Sequence, residues 1–354
     1  MITTLLFAAL TIHLGPMGPD APAHEPQMAA NSSMVVLAFG AGKAIYFSCS
    51  RDGGNTFAAP TKVAEGGIIP LSRHRGPRIA LAGNTIVITA VAGNKPEESG
   101  HAHGLPSDGD LLVWRSQDGG KTWSKAKPIN DVPGSATEGL HALASDGMAT
   151  LFAAWLDKRG SKGTKLYSAR STDGGLTWSK NVAVYQSPDG SICECCHPSV
   201  AIGAAGELVA MWRNSLLGSR DMYLATSHDG LTFSTPRKLG RGTWHLNACP
   251  MDGGGLAVSS TKTVTAWRRD ADVFIAEPGQ PEQQVGTGKD VALALSGGRT
   301  YVAWVNGSKV EVWIDGRVEL LSNAGAFPSL SSLPGGGVLA AWEENGAIQA
   351  RRLP

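Results

Sequence analysis

One short phrase occurs four times in the chain, and it constrains the fold more than any other feature. The phrase runs from a serine through Asp-Gly to a threonine and an aromatic residue, and its copies occupy residues 50–57, 116–123, 171–178 and 227–233. The aspartate can accept bonds from N–H groups of its own turn, and glycine allows the positive φ that tight turns require. Each copy lies between two apolar runs and is therefore predicted to close a β-hairpin. Recurrence at this spacing indicates an array of similar units.

Apolar runs between these phrases repeat more often than the phrase itself. One type ends in alanine before an aromatic residue, and its copies are residues 37–39, 88–91 (a weaker copy), 153–155, 210–212, 265–267, 302–304 and 340–342. A shorter run precedes each copy and a third run follows it. Short strands in groups of four, with no helical periodicity, predict an all-β propeller. The count predicts seven blades.

The Asp-Gly phrase resembles the Asp-box, or BNR, repeat of the sialidase-like β-propellers. The resemblance covers residues 24–354, predicted to be a single domain, and it implies six blades as the alternative to seven because sialidases have six. Asp boxes join the third and fourth strands, on the face opposite the loops that carry function in a propeller. The four Asp-box aspartates are therefore expected to be structural: Asp52, Asp118, Asp173 and Asp229.

Residues 1–23 allow two interpretations. The apolar run 2–12 has the length of a secretory signal core, and residues 21–23 (Ala-Pro-Ala) fit a cleavage site, so a secreted or periplasmic protein is expected. The seventh unit, however, stops after its third strand, and the same run could supply the outer strand that closes the ring.

Charge and composition narrow the classes of partner that the protein is expected to bind. The chain has 31 basic and 30 acidic residues without a basic cluster, which argues against binding to nucleic acid. No apolar run approaches the roughly 18 residues of a membrane span. We expect a monomer without a nucleotide cofactor, whose channel-side face binds a small ligand, a glycan or a metal.

Cysteine and histidine concentrate in the loops predicted to lie on that face, where propellers and other rigid scaffolds carry function. The candidates for a metal site or a disulfide are Cys193, Cys195, Cys196, His197, His245 and Cys249. Further pocket candidates are His74, His101, His103, His141, Trp244, Asn247 and Asp252. The other nine tryptophans fall in repeat positions and are expected to pack in blade cores, as is the fifth cysteine, Cys49.

Three interpretations of the four loop cysteines stay open. In an exported protein a disulfide is common, and Cys193 or Cys196 could bridge to Cys249. Thiolate and imidazole are also ligands for copper(I) and zinc, although Cys-x-Cys-Cys-His is not a regular zinc-finger spacing. Redox-active thiols are the third interpretation.

The sialidase resemblance also implies an arginine cluster that holds a substrate carboxylate and a tyrosine nucleophile. Arg78, Arg213 and Arg268 are the candidates for carboxylate binding. None of the five tyrosines falls in a predicted channel-side loop. We therefore expect, first, a pocket that binds a metal or ligand, then an exo-α-sialidase-like glycoside hydrolase, and third a disulfide-stiffened platform for protein interaction.

Overall fold

The computed structural model describes residues 11–98, 104–160 and 163–354, and within these residues the protein is all-β. Seven four-stranded antiparallel sheets form seven blades. The count of repeats in the sequence is thus confirmed, and the six blades implied by the sialidase resemblance are wrong for this chain. The described residues contain no helix that is long and apolar enough to cross a membrane.

In every blade the strands follow one another from the channel outward. Blades one to three consist of β2 (Ala23–Ala30), β3 (Val35–Ala41), β4 (Ala44–Ser50) and β5 (Thr61–Glu65); β6 (Arg78–Ala82), β7 (Thr85–Ala92), β8 (Asp110–Ser116) and β9 (Lys127–Pro128); and β10 (His141–Ser145), β11 (Leu151–Asp157), β12 (Lys165–Ser171) and β13 (Val182–Tyr185). Blades four and five consist of β14 (Ser199–Ile202), β15 (Leu208–Arg213), β16 (Met222–Ser227) and β17 (Arg237–Lys238); and β18 (Gly255–Val258), β19 (Thr263–Arg269), β20 (Asp272–Ala276) and β21 (Gln283–Thr287). Blades six and seven consist of β22 (Lys289–Ser296), β23 (Arg299–Asn306), β24 (Lys309–Ile314) and β25 (Arg317–Ser322); and β26 (Gly325–Ser332), β27 (Val338–Glu344), β28 (Ala347–Leu353) and β1 (Ile12–Leu14).

The ring is closed in two ways. The innermost strands contact one another around the channel, and β26 of the last blade meets β2 of the first. In the seventh blade, β1 pairs with β28, from Ile12 opposite Ala350 to Leu14 opposite Ile348. The closing strand is therefore residues 12–14, and all of the run 2–12 except its last two residues lies outside the described residues.

Leu14 packs in the same buried cluster as Ala23 and Leu339, so residues from both ends of the chain share one core. Removal of residues 1–23 as a signal peptide would delete β1 and this contact. Cleavage at that point stays a prediction.

Tryptophans of the second strands form the centre of the blade cores. Trp155, Trp212, Trp304 and Trp342 occupy equivalent positions in four blades and are each no more than 2 % exposed. Three of these four indoles donate a hydrogen bond to a carboxylate of their own blade, as Trp155 does to Asp157 at 2.8 Å. Large aromatic groups at one repeated position explain why such short strands hold together as a ring.

The Asp boxes tie the third strand of a blade to the fourth. In the second blade, Asp118 Oδ1 accepts the Ser116 hydroxyl at 2.8 Å and the Thr122 N–H at 2.9 Å, and Oδ2 accepts the Thr122 hydroxyl at 2.6 Å. Asp52 and Asp173 repeat this set of bonds, and Asp229 keeps its Ser and backbone bonds. These hydrogen bonds lower the pKa of each carboxyl, because they stabilise its charged form. Each of these aspartates thus bonds within its own turn.

Candidate functional site

The loops that enter the blades lie at the end of the channel opposite the Asp boxes, because each connects an outermost strand with the innermost strand of the next blade. Two of these loops carry the predicted cysteines. Residues 186–198 lead from β13 into β14, and residues 239–254 lead from β17 into β18. The sequence prediction that they enter neighbouring blades is reproduced by the strand order.

Three thiols of the first loop form a compact group, which we call the cysteine cluster. A turn at residues 194–195 folds Cys196 back toward Cys193, and their Sγ atoms lie 3.3 Å apart. The Sγ atom of Cys195 is 3.7 Å from that of Cys193. All three sulfur atoms lie within 4.8 Å of one another, and all three residues are buried. A single cation could contact the three sulfur atoms.

The loop is fixed from two sides by backbone hydrogen bonds. The Ile192 N–H donates to the Thr164 carbonyl at 2.9 Å, and the Cys193 N–H donates to the Arg213 carbonyl at 3.1 Å. Thr164 precedes β12 and Arg213 ends β15, so one strand end in each adjoining blade holds the loop. The cluster is thus placed by rigid elements rather than by the loop alone.

His197 fastens the same loop to blade five. Its Nδ1 atom accepts the Gly253 N–H at 3.3 Å, and Nε2 donates to the Gly254 carbonyl at 3.0 Å. A side chain at residue 253 would not fit, since a Cβ there would lie 1.8 Å from the His197 carbonyl oxygen. Burial and the nearby cations His74 and Arg78 lower the pKa of His197, so the ring is neutral. Both ring nitrogens are used, and the prediction of His197 as a metal ligand is therefore not supported by its contacts.

The thiols of the cluster are strongly held in their protonated form. The hydrogen bond with Cys195, followed by burial, raises the pKa of Cys193 to about 12. Burial is the main reason that the pKa of Cys196 is raised. The pKa of Cys195 is also raised, since its bond to Cys196 and its burial outweigh an opposing bond to Cys193. A cation that binds here would have to displace these protons.

Cys249 of the second loop reaches the edge of the cluster. It is exposed, and like Cys195 it lines the cavity described below. All five cysteines are free thiols, so the bridge predicted from Cys193 or Cys196 to Cys249 is not formed. Cys49 is half-buried in the third strand of blade one and packs with the core there, as predicted.

A large open cavity lies above this edge. It has a volume of about 1200 Å³, and Cys195, Cys249 and Asn247 are among its lining residues. Met251 also lines it and packs against the cysteine cluster. We call this space the thiol cavity. The sequence pattern did not single out Met251, because an isolated methionine carries no spacing signal.

His74 belongs to a second group, at the mouth of the channel. Its Nε2 atom bonds Asp290 at 3.0 Å, and its ring lies 4.3 Å from that of His197 between centroids. Although burial opposes it, the bond to Asp290 and the charges of Asp290 and Glu25 raise the pKa of His74. Asp252, fully buried, accepts the Asp290 N–H at 2.8 Å. His74 and His197 line the channel, and none of these residues lines the thiol cavity.

Glu25 is a further buried carboxyl that the sequence did not indicate. It accepts the His74 N–H at 2.7 Å. Burial raises its pKa to about 7, although the charge of His74 opposes the shift. Its strand begins in the unremarkable sequence Ala-His-Glu-Pro, and only the closed ring brings it beneath His74.

The remaining predicted pocket residues are dispersed. His245 is exposed and forms a β-bridge with Ser219, and it does not belong to the group of mutually close ligand atoms found among the described residues. His141 is fully buried with Nε2 3.0 Å from the Thr89 hydroxyl, and burial lowers its pKa to about 3. His101 and His103 lie outside the described residues.

The candidate arginines bond to the chain itself. Arg213 is 1 % exposed and donates to three backbone carbonyls, those of residues 252, 220 and 268. Arg78 is buried and donates to the carbonyls of residues 74, 76 and 77. The Cζ atoms of Arg213 and Arg268 lie 5.1 and 5.4 Å from the centroid of the Trp244 ring. These contacts fix loops and give no support to the prediction that the three arginines hold a substrate carboxylate.

Comparison with known proteins finds a similar repeat in part of the sequence and a similar fold in solved structures. The model of the BNR repeat-like domain matches residues 113–241. A search of curated protein sequences finds no match. Solved structures of similar fold include a protein of unknown function from Dyadobacter fermentans, at 16 % identity and TM-score 0.58, with 97 % of this chain and 98 % of that chain covered.

Two enzymes have a similar fold at comparably low sequence identity. The NanB sialidase from Streptococcus pneumoniae matches at 13 % identity and TM-score 0.56, covering 96 % of this chain and 70 % of that chain. The α-L-arabinanase from Penicillium chrysogenum matches at 12 % identity and TM-score 0.53, covering 98 % of this chain and 97 % of that chain. The chain thus has the fold of the sialidase-like β-propellers, here with seven blades, and its residues 113–241 match the BNR repeat-like domain.

Proposed function

We propose that this propeller binds one soft metal ion at the cysteine cluster, with copper(I) preferred and zinc(II) as the alternative. The observation that supports the proposal is the convergence of three buried sulfur atoms within 4.8 Å of one another. Apolar packing alone does not require three thiols in four residues. Thiolate is the donor that copper(I) and zinc share as a preferred ligand.

The donors around the cluster favour copper(I). His197 uses both ring nitrogens in backbone hydrogen bonds, and His245 does not join the close group of ligand atoms. Two further sulfur donors adjoin the cluster, the thiol of Cys249 in the cavity that Cys195 lines and the thioether of Met251, which packs against the three cysteines. Sulfur-only sets with thioether suit copper(I) better than the harder divalent ions.

The test is anaerobic titration of the reduced protein with copper(I) and, separately, with zinc(II), using a competing chromophoric chelator. We expect one equivalent of tightly bound ion. Cys195→Ser should weaken binding by more than the roughly 10–100-fold typical of losing a residue that only supports a ligand. Cys49→Ser is the matched control, because Cys49 lies in another blade. Equal affinity of the two variants, or no binding by the unchanged protein, would contradict the proposal.

A glycoside hydrolase is the second candidate, since sialidases and arabinanases share the fold. Against it, each tyrosine of the chain lies in a strand, and the hydroxyl of Tyr301 donates to the Pro354 carbonyl. Hydrolysis of a fluorogenic sialoside or arabinoside by the metal-free protein would support it. If the protein neither binds a metal nor hydrolyses a glycoside, a platform for protein interaction is the remaining candidate function.

Export forms part of the proposal. It is supported by the apolar run 2–12 and the Ala-Pro-Ala sequence at 21–23. Mass spectrometry of protein from its native host should show a shortened N-terminus outside the cytoplasm. Cleavage after residue 23 would remove β1, so an unshortened N-terminus that retains residues 12–14 would favour ring closure over export.

A further inference from the structure

The thiol cavity is much larger than a metal ion needs. Its volume is about 1200 Å³, whereas pockets for small organic ligands usually occupy about 300–1,000 Å³. Sulfur lines one part of it, through Cys195, Cys249 and Met251. The space therefore admits a molecule that approaches the edge of the cysteine cluster.

Positive charge dominates the rest of the cavity lining. The charged lining residues are Arg73, Arg75, Lys158 and Arg220 against Glu138 and Glu194. Glu138 lies between two of the cations, 3.6 Å from Arg75 and 2.6 Å from Lys158. That arrangement neutralises only part of the positive charge.

Arg73 and Arg220 are the two cations left without an ion pair to any carboxylate among the described residues. The buried Nε atom of Arg220 also has no hydrogen-bond partner within that part of the chain. A buried donor without a partner is costly unless a ligand or water satisfies it. Guanidinium groups bind carboxylates with two parallel hydrogen bonds.

The backbone that presents Arg73 is unusual. Ser72, Arg73 and His74 have φ values of 150°, 55° and 66°, a run of three non-glycine residues in the region that favours glycine. The run is held by the Arg75 N–H donating to Ser72 at 3.0 Å and the His74 N–H donating to Glu25 at 2.7 Å. Such strain persists where the surrounding structure fixes it, and it clusters at ligand sites.

We propose that the thiol cavity receives the soft metal ion as its complex with a small thiol that carries carboxylate groups. This inference rests on the proposed metal site. Arg73 and Arg220 hold the carboxylates of the carrier, while its metal–sulfur end faces Cys195 and Cys249. The cavity is thus the entry path for the metal, and the exposed Cys249 is the first protein thiol that it meets.

Transfer is ligand exchange without a change of oxidation state. The Cys249 sulfur forms a bond to the metal as the bond from the metal to the carrier sulfur breaks. The proton of the Cys249 thiol passes to the released carrier thiolate. Cys195, Cys193 and Cys196 then bind the ion in turn, each releasing its thiol proton to solvent, while the bond from the ion to Cys249 breaks and that thiolate takes up a proton.

The experiment compares two copper(I) complexes under anaerobic conditions, one with mercaptosuccinate and one with 2-mercaptoethanol, which lacks carboxylates. Copper retained by the protein is measured after rapid desalting at timed intervals. We expect loading from mercaptosuccinate to be about tenfold faster at limiting concentration, the ratio for one charge-assisted hydrogen-bonded contact. Arg73→Gln and Arg220→Gln should each remove most of this advantage and leave loading from 2-mercaptoethanol unchanged.

Arg51→Gln is the control, since Arg51 is exposed at an Asp box on the opposite face. Cys249→Ser should slow loading from both complexes while the final copper content stays at one equivalent. Equal rates from the two complexes, or an advantage that survives Arg73→Gln and Arg220→Gln, would overturn the inference while the metal site stands. A protein that binds no copper from either complex would overturn both.

Discussion

Replacement of Glu25 by glutamine should change the pH dependence of stability in a defined way. Glu25 is 2 % exposed and accepts the His74 N–H through Oε1. Glutamine keeps an oxygen in that position but cannot ionise. Comparison of the variant with the unchanged protein therefore separates the free-energy cost of burying a charged carboxylate from the contribution of the hydrogen bond.

The size of the effect follows from the shift of the carboxyl pKa, from 4.5 to about 7 on folding. At 1.36 kcal/mol for each pKa unit, this corresponds to roughly 3 kcal/mol. The folded protein holds the proton more tightly than the unfolded chain, so stability falls as pH rises from about 4.5 to 7. His74 has a raised pKa and adds to the same trend, because its contribution is present below pH 6.5 and is lost above.

The assay is urea unfolding of the metal-free, reduced protein at pH 5 and pH 8. We expect Glu25→Gln to be more stable than the unchanged protein at pH 8, by up to about 3 kcal/mol, and to differ little at pH 5. Glu319→Gln is the control at an exposed position. A variant that is destabilised equally at both values of pH would show that the carboxyl is charged and paired in the folded protein, and would refute the reasoning.

Three further changes test the fold around the site. Removal of residues 1–23 should lower the melting temperature of the protein markedly, because β1 is lost from blade seven. An unchanged melting temperature would show that β1 does not close the ring. Asp173→Ala should lose a contribution to stability that is present above pH 4 and lost toward pH 2, since hydrogen bonds from Thr177 and Ser171 outweigh slight burial and lower the carboxyl pKa to about 2. Copper binding should not change in this variant. Loss of copper binding would show that the metal site was assigned to the wrong face of the propeller. Asp252→Ala should cost about 1–3 kcal/mol in urea unfolding by leaving buried N–H groups without an acceptor; a smaller cost would show that water replaces the carboxylate.

Repetition explains why so much of the fold could be predicted from the sequence. Equivalent residues recur in each unit, so Trp155 and Trp342 could be assigned to one structural position without knowledge of the rest. The order of strands within a blade then decides which loops meet at one face. This placed Cys193 and Cys249 in neighbouring loops correctly.

The details of the site depend on single contacts between distant segments, which repetition does not encode. His197 follows the cysteines in sequence, yet it turns away from them because Gly253 and Gly254 supply partners for both ring nitrogens. Glu25 and Asp290 reach His74 only when the ring is closed. Each of these residues lacks a local pattern that would reveal its partner.

The arrangement of donors around the bound ion tests the central claim most directly. X-ray absorption spectroscopy of the copper(I)-loaded protein measures the elements in the first coordination shell. We predict a shell of sulfur alone, with three or four donors, that loses one sulfur in Cys195→Ser and is unchanged in Cys49→Ser. A shell containing imidazole nitrogen, or one that is the same in both variants, would contradict a metal site built from the cysteine cluster.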